Sequence, residues 1–357
     1  MINVTKTFLP PQEEYQAILK QAWDIGWITN RGVLVKELEE RLKKKLQVPN
    51  IIATTNGTLP LQIAIKALGL TGEIITTPFS YVATTSSIVW EGCTPIFVDI
   101  HPEYLTIDET KIEAAITTKT TAIFATHVFG NPCDVKAIEV IAKKHNLKVV
   151  YDAAHCFGVT YKGQSIFNYG DISTCSFHAT KLFHTGEGGA MFTNSKAIHD
   201  TLFYHHNFGH QGPESIQGIG VNAKMSELQA AMGLAVLPYI EDVIDKRKAI
   251  CEAYSSAFSK TELQSLKIRK NTNWNYSYFP VIFKNETQLL NVKAALEKEQ
   301  IFTRRYFYPS LNNLDYVNKV SQPISDTISK RVLCLPLFYD LPIIDVNKII
   351  ALVLKQL

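Results

Sequence analysis

Four side chains that could do chemistry follow short apolar segments of the sequence: Thr58, Tyr81, Asp152 and Lys181. Thr58 opens a helical pattern after an Asn-Gly turn, where free backbone N–H groups and the helix dipole attract an anion such as phosphate. Tyr81 offers a ring that can stack on a flat ligand. Each feature taken singly also fits a structural role, as a capped helix start or a packed aromatic ring.

Asp152 and Lys181 give the stronger chemical signal. Asp152 ends the apolar run LKVVYD and needs a partner, because an unpaired buried charge is costly. An N-cap or a structural ion pair would also explain it. Lys181, in SFHATKLFHTGEGGA, is either a solvated charge or an amine that forms a Schiff base with a carbonyl compound. His155, three residues after Asp152, is by itself more typical of a hydrogen-bonded core histidine.

Together these signals match what pyridoxal 5′-phosphate (PLP) requires of a protein. A helix start would hold the phosphate, an aromatic ring would stack on the pyridine, and a lysine would hold the aldehyde. A carboxylate beside the pyridine nitrogen would raise the pKa of that nitrogen by charge pairing. The released lysine could then carry a proton between substrate and cofactor. The sequence therefore predicts PLP as the cofactor and no metal.

An α/β sheet must position these residues. Apolar runs alternate with amphipathic stretches, which favours a mostly parallel sheet with helices on both faces. We predict strands at residues 51–55, 73–78, 94–100, 121–130, 147–155, 172–178 and 188–194. Ligands of such sheets bind beyond the carboxyl ends of the strands, where the four chemical residues fall.

The character of the sequence changes after about Gly220. A long helical stretch over residues 222–258 leads into a smaller α+β pattern that ends in an apolar helix over 343–357. We expect a large α/β domain over residues 1–240, with an N-terminal helical segment, and a small α+β domain over 241–357.

Composition excludes several classes of protein. The 357 residues are 46% hydrophobic and 19% charged, which is typical of a globular protein with a substantial core. The net charge is only +3 and the basic residues are scattered, so nothing supports nucleic-acid binding. The six cysteines lack metal-site spacing and indicate reduced thiols in a cytoplasmic protein. No stretch has the character of a membrane span.

Four motifs together resemble the DegT/DnrJ/EryC1/StrS family of PLP-dependent sugar aminotransferases. In chain order they are TNGTLPLQIA, DAAHCFG, SFHATKLFHTGEGGA and GVNAKMSELQAA. The resemblance runs from TFLPPQEEY to the end of the chain. It implies the aspartate-aminotransferase fold of type I, with a seven-stranded sheet in the large domain. It also implies a homodimer with shared active sites, in which Asn222 reaches the PLP phosphate of the partner subunit.

The resemblance also assigns roles to single residues. It implies that Lys181 anchors PLP and that Asp152 pairs with the pyridine nitrogen. The remaining cofactor contacts that it implies are phosphate binding by Gly57, Thr58 and Ser176, stacking by Tyr81, and a position near the ring for His155. Lysine at 181 favours transamination, because related dehydratases carry histidine at this position.

For the substrate, the resemblance implies a nucleotide-linked keto-deoxysugar, with L-glutamate as amino donor. The stretches MINVTKTFLPP and RRYFYPSL look most like members that aminate dTDP-4-keto-6-deoxyglucose at C4, in deoxysugar pathways such as O-antigen and lipopolysaccharide biosynthesis. Amination of a dTDP-3-keto-6-deoxyhexose at C3 is an alternative. A non-catalytic regulatory protein that binds PLP or a sugar nucleotide is an alternative of another class.

Contacts to the sugar nucleotide are less well defined by the sequence. TRRYFYPSL departs from the family pattern, in which a histidine closely follows the proline, because Ser310 and Leu311 stand there. Arginines suit phosphate recognition, although a strand with surface arginines explains them equally well. The glycine-rich stretch 207–222 could line or cover the sugar pocket, or be a plain surface loop. The predicted substrate contacts are Thr29, His184, His210, Arg304, Arg305, Tyr306 and Tyr308.

Overall fold

The computed structural model describes residues 1–357 and contains two α/β units joined by one helix. The helices are α1 (Gln12–Ile25), α2 (Val33–Leu46), α3 (Leu59–Ala67), α4 (Val82–Trp90), α5 (Glu109–Ile112), α6 (Val135–His145), α7 (Lys196–His205), α8 (Glu227–Val236), α9 (Ile240–Phe258), α10 (Glu286–Lys298), α11 (Pro323–Arg331) and α12 (Ile343–Leu354). The strands are β1 (Ile51–Thr54), β2 (Glu73–Thr76), β3 (Thr94–Phe97), β4 (Thr120–Thr126), β5 (Lys148–Asp152), β6 (Thr160–Tyr161), β7 (Gln164–Ser165), β8 (Ile172–Ser176), β9 (Gly189–Phe192), β10 (Gln264–Ser265), β11 (Thr272–Asn273), β12 (Phe279–Ile282) and β13 (Val332–Leu335).

A seven-stranded sheet forms the centre of the larger unit, with strand order β1-β9-β8-β5-β4-β2-β3. Only β9 runs antiparallel to its neighbours. All seven predicted strands are present, so the expected α/β fold with a mostly parallel sheet is confirmed. The strands other than β9 therefore present their carboxyl ends at one edge of the sheet.

The strands are buried on both faces because successive side chains point to opposite sides. In β4, Ile123 and Ala125 pack into one hydrophobic cluster, whereas Ala122 and Phe124 pack into another across the sheet. Helices α2, α6 and α8 cover the first face, and α3 and α7 cover the second. This double cover explains why the strands read as continuous apolar runs.

The smaller unit has its own core of aromatic and aliphatic side chains around the sheet β10-β12-β13. The large core ends with Val243 and the small core begins with Ile250, so both cores include part of α9. The prediction assigns residues 1–240 to the large domain. The first residues instead lie with the small unit, because Ile2 pairs with Ile301 and packs on the small core. The predicted long helix over 222–258 is two helices, since a 3-10 turn containing Pro238 separates α8 from α9.

A mixed cluster joins the two units: Phe79, Val128 and Phe129 of the large unit pack with Tyr278 and Phe307 of the small one, among others. This joint fixes the small unit over the carboxyl edge of the large sheet. No helix in the protein is both long enough and apolar enough to cross a membrane.

Candidate active site

A cavity of about 300 Å³ lies at the carboxyl edge of the seven-stranded sheet, beneath the small unit. Asp152 ends β5 and Ser176 ends β8, while the turn after β1 carries Asn56 and Gly57. The sequence-predicted residues that line this cavity are Gly57, Thr58, Tyr81, Asp152, His155, Ser176, Lys181, Arg304 and Tyr306. The fold thus brings most of the predicted constellation together.

The Asp152 carboxylate lies at the floor of the cavity and is 5% exposed. The Thr84 hydroxyl donates to its Oδ2 at 2.6 Å, and the Ala154 backbone N–H donates to its Oδ1 at 3.1 Å. Burial raises the pKa of the Asp152 carboxyl above its ordinary value, against the lowering effect of these hydrogen bonds and of Lys181. A cation at this position would relieve the cost of burying the carboxylate.

The Lys181 amine is half-buried on the wall of the same cavity. Burial lowers the pKa of this amine, whereas Tyr306 and Asp152 act to raise it. The lysine is therefore no ordinary surface charge, and more of it is neutral near neutral pH than of an exposed lysine. A neutral amine is the nucleophilic and basic form.

The turn after β1 forms a small cradle for an anion. A Cβ atom on Gly57 would lie 2.7 Å from Ser176 Cβ and 2.9 Å from Ser176 Oγ, so only glycine leaves this space open. One expectation needs correction, because the N–H groups of Thr58 and Leu59 are not free. Both donate to Asn56 Oδ1 at 2.9 Å. The groups left for a phosphate are the Gly57 N–H and the hydroxyls of Thr58 and Ser176.

His155 and Tyr81 lie on the cavity wall in different environments. His155 is 9% exposed, and burial holds its pKa well below the ordinary value, so the ring is neutral. The Phe129 N–H donates to His155 Nδ1 at 3.2 Å, which puts the imidazole proton on Nε2. Tyr81 stands before α4 and is 52% exposed, which leaves its ring free to cover a ligand.

Arg304 and Arg305 have opposite surroundings. Arg304 lines the cavity, and its guanidinium lies over the Tyr306 ring at 4.9 Å without an acidic partner. Arg305 donates to Glu286 Oε1 at 2.6 Å and stacks on Tyr308 at 3.7 Å. Arg305 and Tyr308 line an adjoining cavity of about 260 Å³. Arg304 is thus the arginine available to an anionic ligand.

Six predicted residues do not line this cavity. Arg305 and Tyr308 line only the adjoining one, and four line neither: Thr29, His184, His210 and Asn222. For His184 the structure argues against substrate contact, because its Nε2 bonds the Phe8 carbonyl at 2.6 Å and its Nδ1 accepts from the Gly186 N–H at 3.2 Å. Thr29 is exposed in the loop after α1. His210 pairs with Ile216 inside its own loop, and Asn222 Oδ1 accepts from Lys224 Nζ at 2.9 Å.

Sequence reasoning missed several groups of this cavity. Thr84 holds the Asp152 carboxylate, Asn56 caps the helix start, and His178 and Glu187 stand at the rim. Asn56 had a local signal, since an Asx residue before a helix commonly caps it. Thr84 had none, because only the packing of α4 on the sheet brings it to Asp152.

A larger cavity of about 500 Å³ lies beside α6, away from Lys181 and Asp152. Its lysines, Lys136 and Lys143, both pair with Glu139 at 2.9 and 2.6 Å. It lacks an amine and a carboxylate free to act on a ligand, so we assign the chemistry to the smaller cavity. The His, Cys, Asp and Glu side chains form no cluster that could hold a metal ion.

Comparison with known proteins decides the family: residues 11–354 match the DegT/DnrJ/EryC1/StrS aminotransferase family. The chain belongs to this family. As a member, it is similar to the dTDP-4-amino-4,6-dideoxy-D-glucose transaminase of Escherichia coli, with 38% identity over 100% of this chain and 99% of the relative. The transaminase of the same description from Shigella dysenteriae is 40% identical over 95% of each chain.

A solved structure gives the same picture for this DegT/DnrJ/EryC1/StrS family member. DesI, crystallised in the presence of its TDP-sugar product, superposes with a TM-score of 0.94 at 32% identity. The match covers 99% of this chain and 93% of DesI. The aminotransferase fold expected from the motifs is therefore confirmed.

Proposed function

We propose that this chain is a PLP-dependent aminotransferase that moves the amino group of L-glutamate to a nucleotide-linked keto-deoxysugar. The observation that carries the proposal is the meeting of Lys181 and Asp152 in one cavity of an aminotransferase fold. Loss of contact with water raises the pKa of the Asp152 carboxyl and lowers the pKa of the Lys181 amine. A purely regulatory protein would have no use for a buried carboxylate and a half-buried amine held in this way.

The residues of the cavity fit PLP in shape and charge. The buried Asp152 carboxylate has no hydrogen-bond donor that carries a charge, which suits a protonated pyridine nitrogen. The cradle at Gly57 and Ser176 leaves room for a phosphate that a side chain would fill. PLP, when bound, supplies an aldehyde that takes up the donor's amine and a ring that stores electrons from the reacting carbon.

The chain's own side chains would supply the remaining functions. Asp152 would hold a proton on the ring nitrogen. Thr84 would fix the orientation of the Asp152 carboxylate through its 2.6 Å hydrogen bond. Lys181 Nζ would take a proton from one carbon and return it to another, for which a lowered amine pKa is an advantage. His155, as a neutral ring, adds no competing charge beside the cofactor.

For the acceptor we propose dTDP-4-keto-6-deoxyglucose, aminated at C4 to dTDP-4-amino-4,6-dideoxyglucose. Similarity to the two transaminases of that description over nearly the full chain supports this choice. Arg304, which has no acidic partner, suits the diphosphate of such a substrate. Tyr306 and Tyr308 would contact the sugar or base. Amination at C3 is the alternative, since the cavity residues alone do not choose the carbon.

We also propose a homodimer in which Asn222 serves the partner's site. Asn222 is exposed and lies outside its own cavity, as such a role requires. Large apolar side chains remain exposed nearby in sequence, with Ile219 at 78%, and in the segment after α1, with Trp23 at 68% and Trp27 at 53%. A second copy would cover such a surface. The six free, buried cysteines suit the proposed cytoplasmic location.

The decisive test of function is product analysis. The protein with PLP, L-glutamate and either the 4-keto or the 3-keto dTDP-sugar should give a new amine, and NMR locates it. We expect amine at C4 from the 4-keto substrate and none with Lys181→Ala. Amine at C3 would support the alternative substrate. Turnover by Lys181→Ala, or no turnover with any ketosugar, would overturn the proposal.

Mixed dimers test the shared site. A Lys181→Ala subunit paired with an Asn222→Ala subunit should regain activity, because one of the two sites then has both residues intact. Each parent protein alone serves as the control. A mixture that stays inactive, although both parents bind PLP, would contradict the role of Asn222.

A further inference from the structure

The Lys181 amine has one hydrogen-bond partner in the protein, and it comes from the small unit. Lys181 Nζ donates to the Tyr278 hydroxyl oxygen at 3.5 Å. The Asp152 carboxylate does not compete for this amine, because its hydrogen bonds come from Thr84 and Ala154. The free amine is thus held by a neutral oxygen.

The Tyr278 side chain is fixed by packing. It is 4% exposed, and its ring lies 4.8 Å from the His155 ring and 5.2 Å from the Tyr306 ring. Burial raises the pKa of its hydroxyl to about 12, so the group stays protonated at neutral pH. The Tyr306 side chain lies beside the same hydroxyl, and its hydrogen bond acts to lower the Tyr278 pKa against the effect of burial.

The backbone that carries Tyr278 is also held firmly. Arg247 is 5% exposed, and its guanidinium donates to the Tyr276 carbonyl at 2.9 Å and to the Ser277 carbonyl. Asn275 Nδ2 donates to the His155 carbonyl at 2.9 Å. The Arg247 bonds tie the segment before β12 to α9, and the Asn275 bond ties it to the loop that carries His155. The hydroxyl is therefore placed against Lys181 by the joint between the two units.

The direction of this hydrogen bond matters for a base. A neutral primary amine has two N–H bonds and one lone pair, and only the lone pair can take a proton. When one N–H donates to an oxygen, the lone pair stays free and its direction is restricted. A carboxylate at the same place would instead favour the charged ammonium, which has no lone pair.

We propose that the Tyr278 hydroxyl is a positioning group that accepts a hydrogen bond from Lys181 Nζ and so aims the lone pair of this nitrogen at the reacting carbon. The inference rests on the proposed function. The proton moves from the substrate carbon to Lys181 Nζ and from there to the acceptor carbon. Tyr278 keeps its own hydrogen throughout, so no further proton donor or acceptor is needed.

Tyr278→Phe tests the proposal, because it removes one oxygen and keeps the ring contacts. We expect kcat to fall about tenfold, the scale of one hydrogen bond, with KM for the ketosugar unchanged. The kinetic isotope effect with α-deuterated glutamate should rise, since proton transfer becomes slower. The matched control is Tyr254→Phe, another buried tyrosine, whose hydroxyl donates to the Pro336 carbonyl at 3.0 Å in the small core. It should leave kcat and the isotope effect unchanged.

A second measurement uses the holoenzyme. The acid limb of the pH profile for the glutamate half-reaction reports the pKa of the Lys181 amine, because only the neutral amine can take a proton from the substrate carbon. Loss of the oxygen should lower this pKa, because an acceptor stabilises the ammonium form more than the neutral amine. Tyr254→Phe should not change it.

The outcomes separate the two proposals. Active wild-type enzyme, with kcat, isotope effect and Lys181 pKa all unchanged in Tyr278→Phe, would overturn this inference alone. Wild-type enzyme that transfers no amine to any ketosugar would overturn the proposed function as well.

Discussion

Asp99 and Asp152 are two aspartates at the same edge of the sheet, both 5% exposed, with very different surroundings. Asp99, after β3, accepts hydrogen bonds from the N–H groups of Ile100, Ile324 and Ser325 and from the Ser325 hydroxyl. It thereby caps α11 and joins the two units. Asp152 accepts only from Thr84 and Ala154 and faces an open cavity.

The difference shows how burial serves stability in one place and chemistry in another. A buried carboxylate that receives enough hydrogen bonds from its own protein stabilises the fold. A buried carboxylate that receives few hydrogen bonds can still accept hydrogen bonds from a ligand or pair with its charge. It lowers the stability of the protein when no ligand is bound. The following variants measure how far this contrast holds.

The largest effect on function should come from Asp152→Asn. The amide keeps the shape of the side chain and removes its charge, so we expect kcat to fall about a hundredfold or more, as for loss of an electrostatic catalytic contact. Stopped-flow measurement of the glutamate half-reaction would test this. The cofactor-free variant should be at least as stable as wild type in urea. A near-normal rate would remove the distinction between the two aspartates.

Asp99→Ala should have the opposite signature. The variant leaves the first N–H groups of α11 without their acceptor, and we expect a loss of about 2 kcal/mol in the free energy of unfolding. Urea unfolding measures this loss, and kcat per folded molecule should be retained because Asp99 lies outside the cavity. A large fall in kcat with normal stability would contradict the structural role of Asp99.

Thr84→Val tests how Asp152 is held. The substitution keeps the branched shape and removes the hydroxyl that donates to Oδ2 at 2.6 Å. We expect a fall in kcat of about tenfold, the scale of one hydrogen bond to a charged group. Thr85→Val is the matched control, since the neighbouring Thr85 hydroxyl is buried without a partner. Equal effects of the two variants would argue against a specific role for Thr84.

The smallest effect is in the pH dependence of stability. Burial raises the pKa of Asp152 in the cofactor-free protein above its ordinary 3.8, so the folded chain keeps a proton that the unfolded chain has released. Stability should therefore fall as the pH rises from the ordinary to the raised pKa. Asp152→Asn should lack this fall when urea midpoints are compared over the acid range. Parallel profiles for the two proteins would mean that Asp152 is not destabilised by burial.

The sequence predicts one side of the site better than the other. The strands are encoded locally, as apolar runs, and Asp152, Ser176 and Gly57 follow from where these runs end. Thr84 and Tyr278 could not be predicted, because α4 and the joint between the units bring them to the site through contacts distant in sequence. His184 shows the converse. It is close to Lys181 in the sequence, but its side chain bonds the Phe8 carbonyl and does not enter the cavity.

We propose above all that Lys181 is the amine that holds PLP. The most direct test is to reduce the PLP-loaded protein with borohydride, digest it, and locate the pyridoxyl group by mass spectrometry. We predict that the group is on the peptide that contains Lys181 and is absent from Lys181→Ala. A pyridoxyl group on another lysine, or no stable label on the wild-type protein, would contradict this role of Lys181.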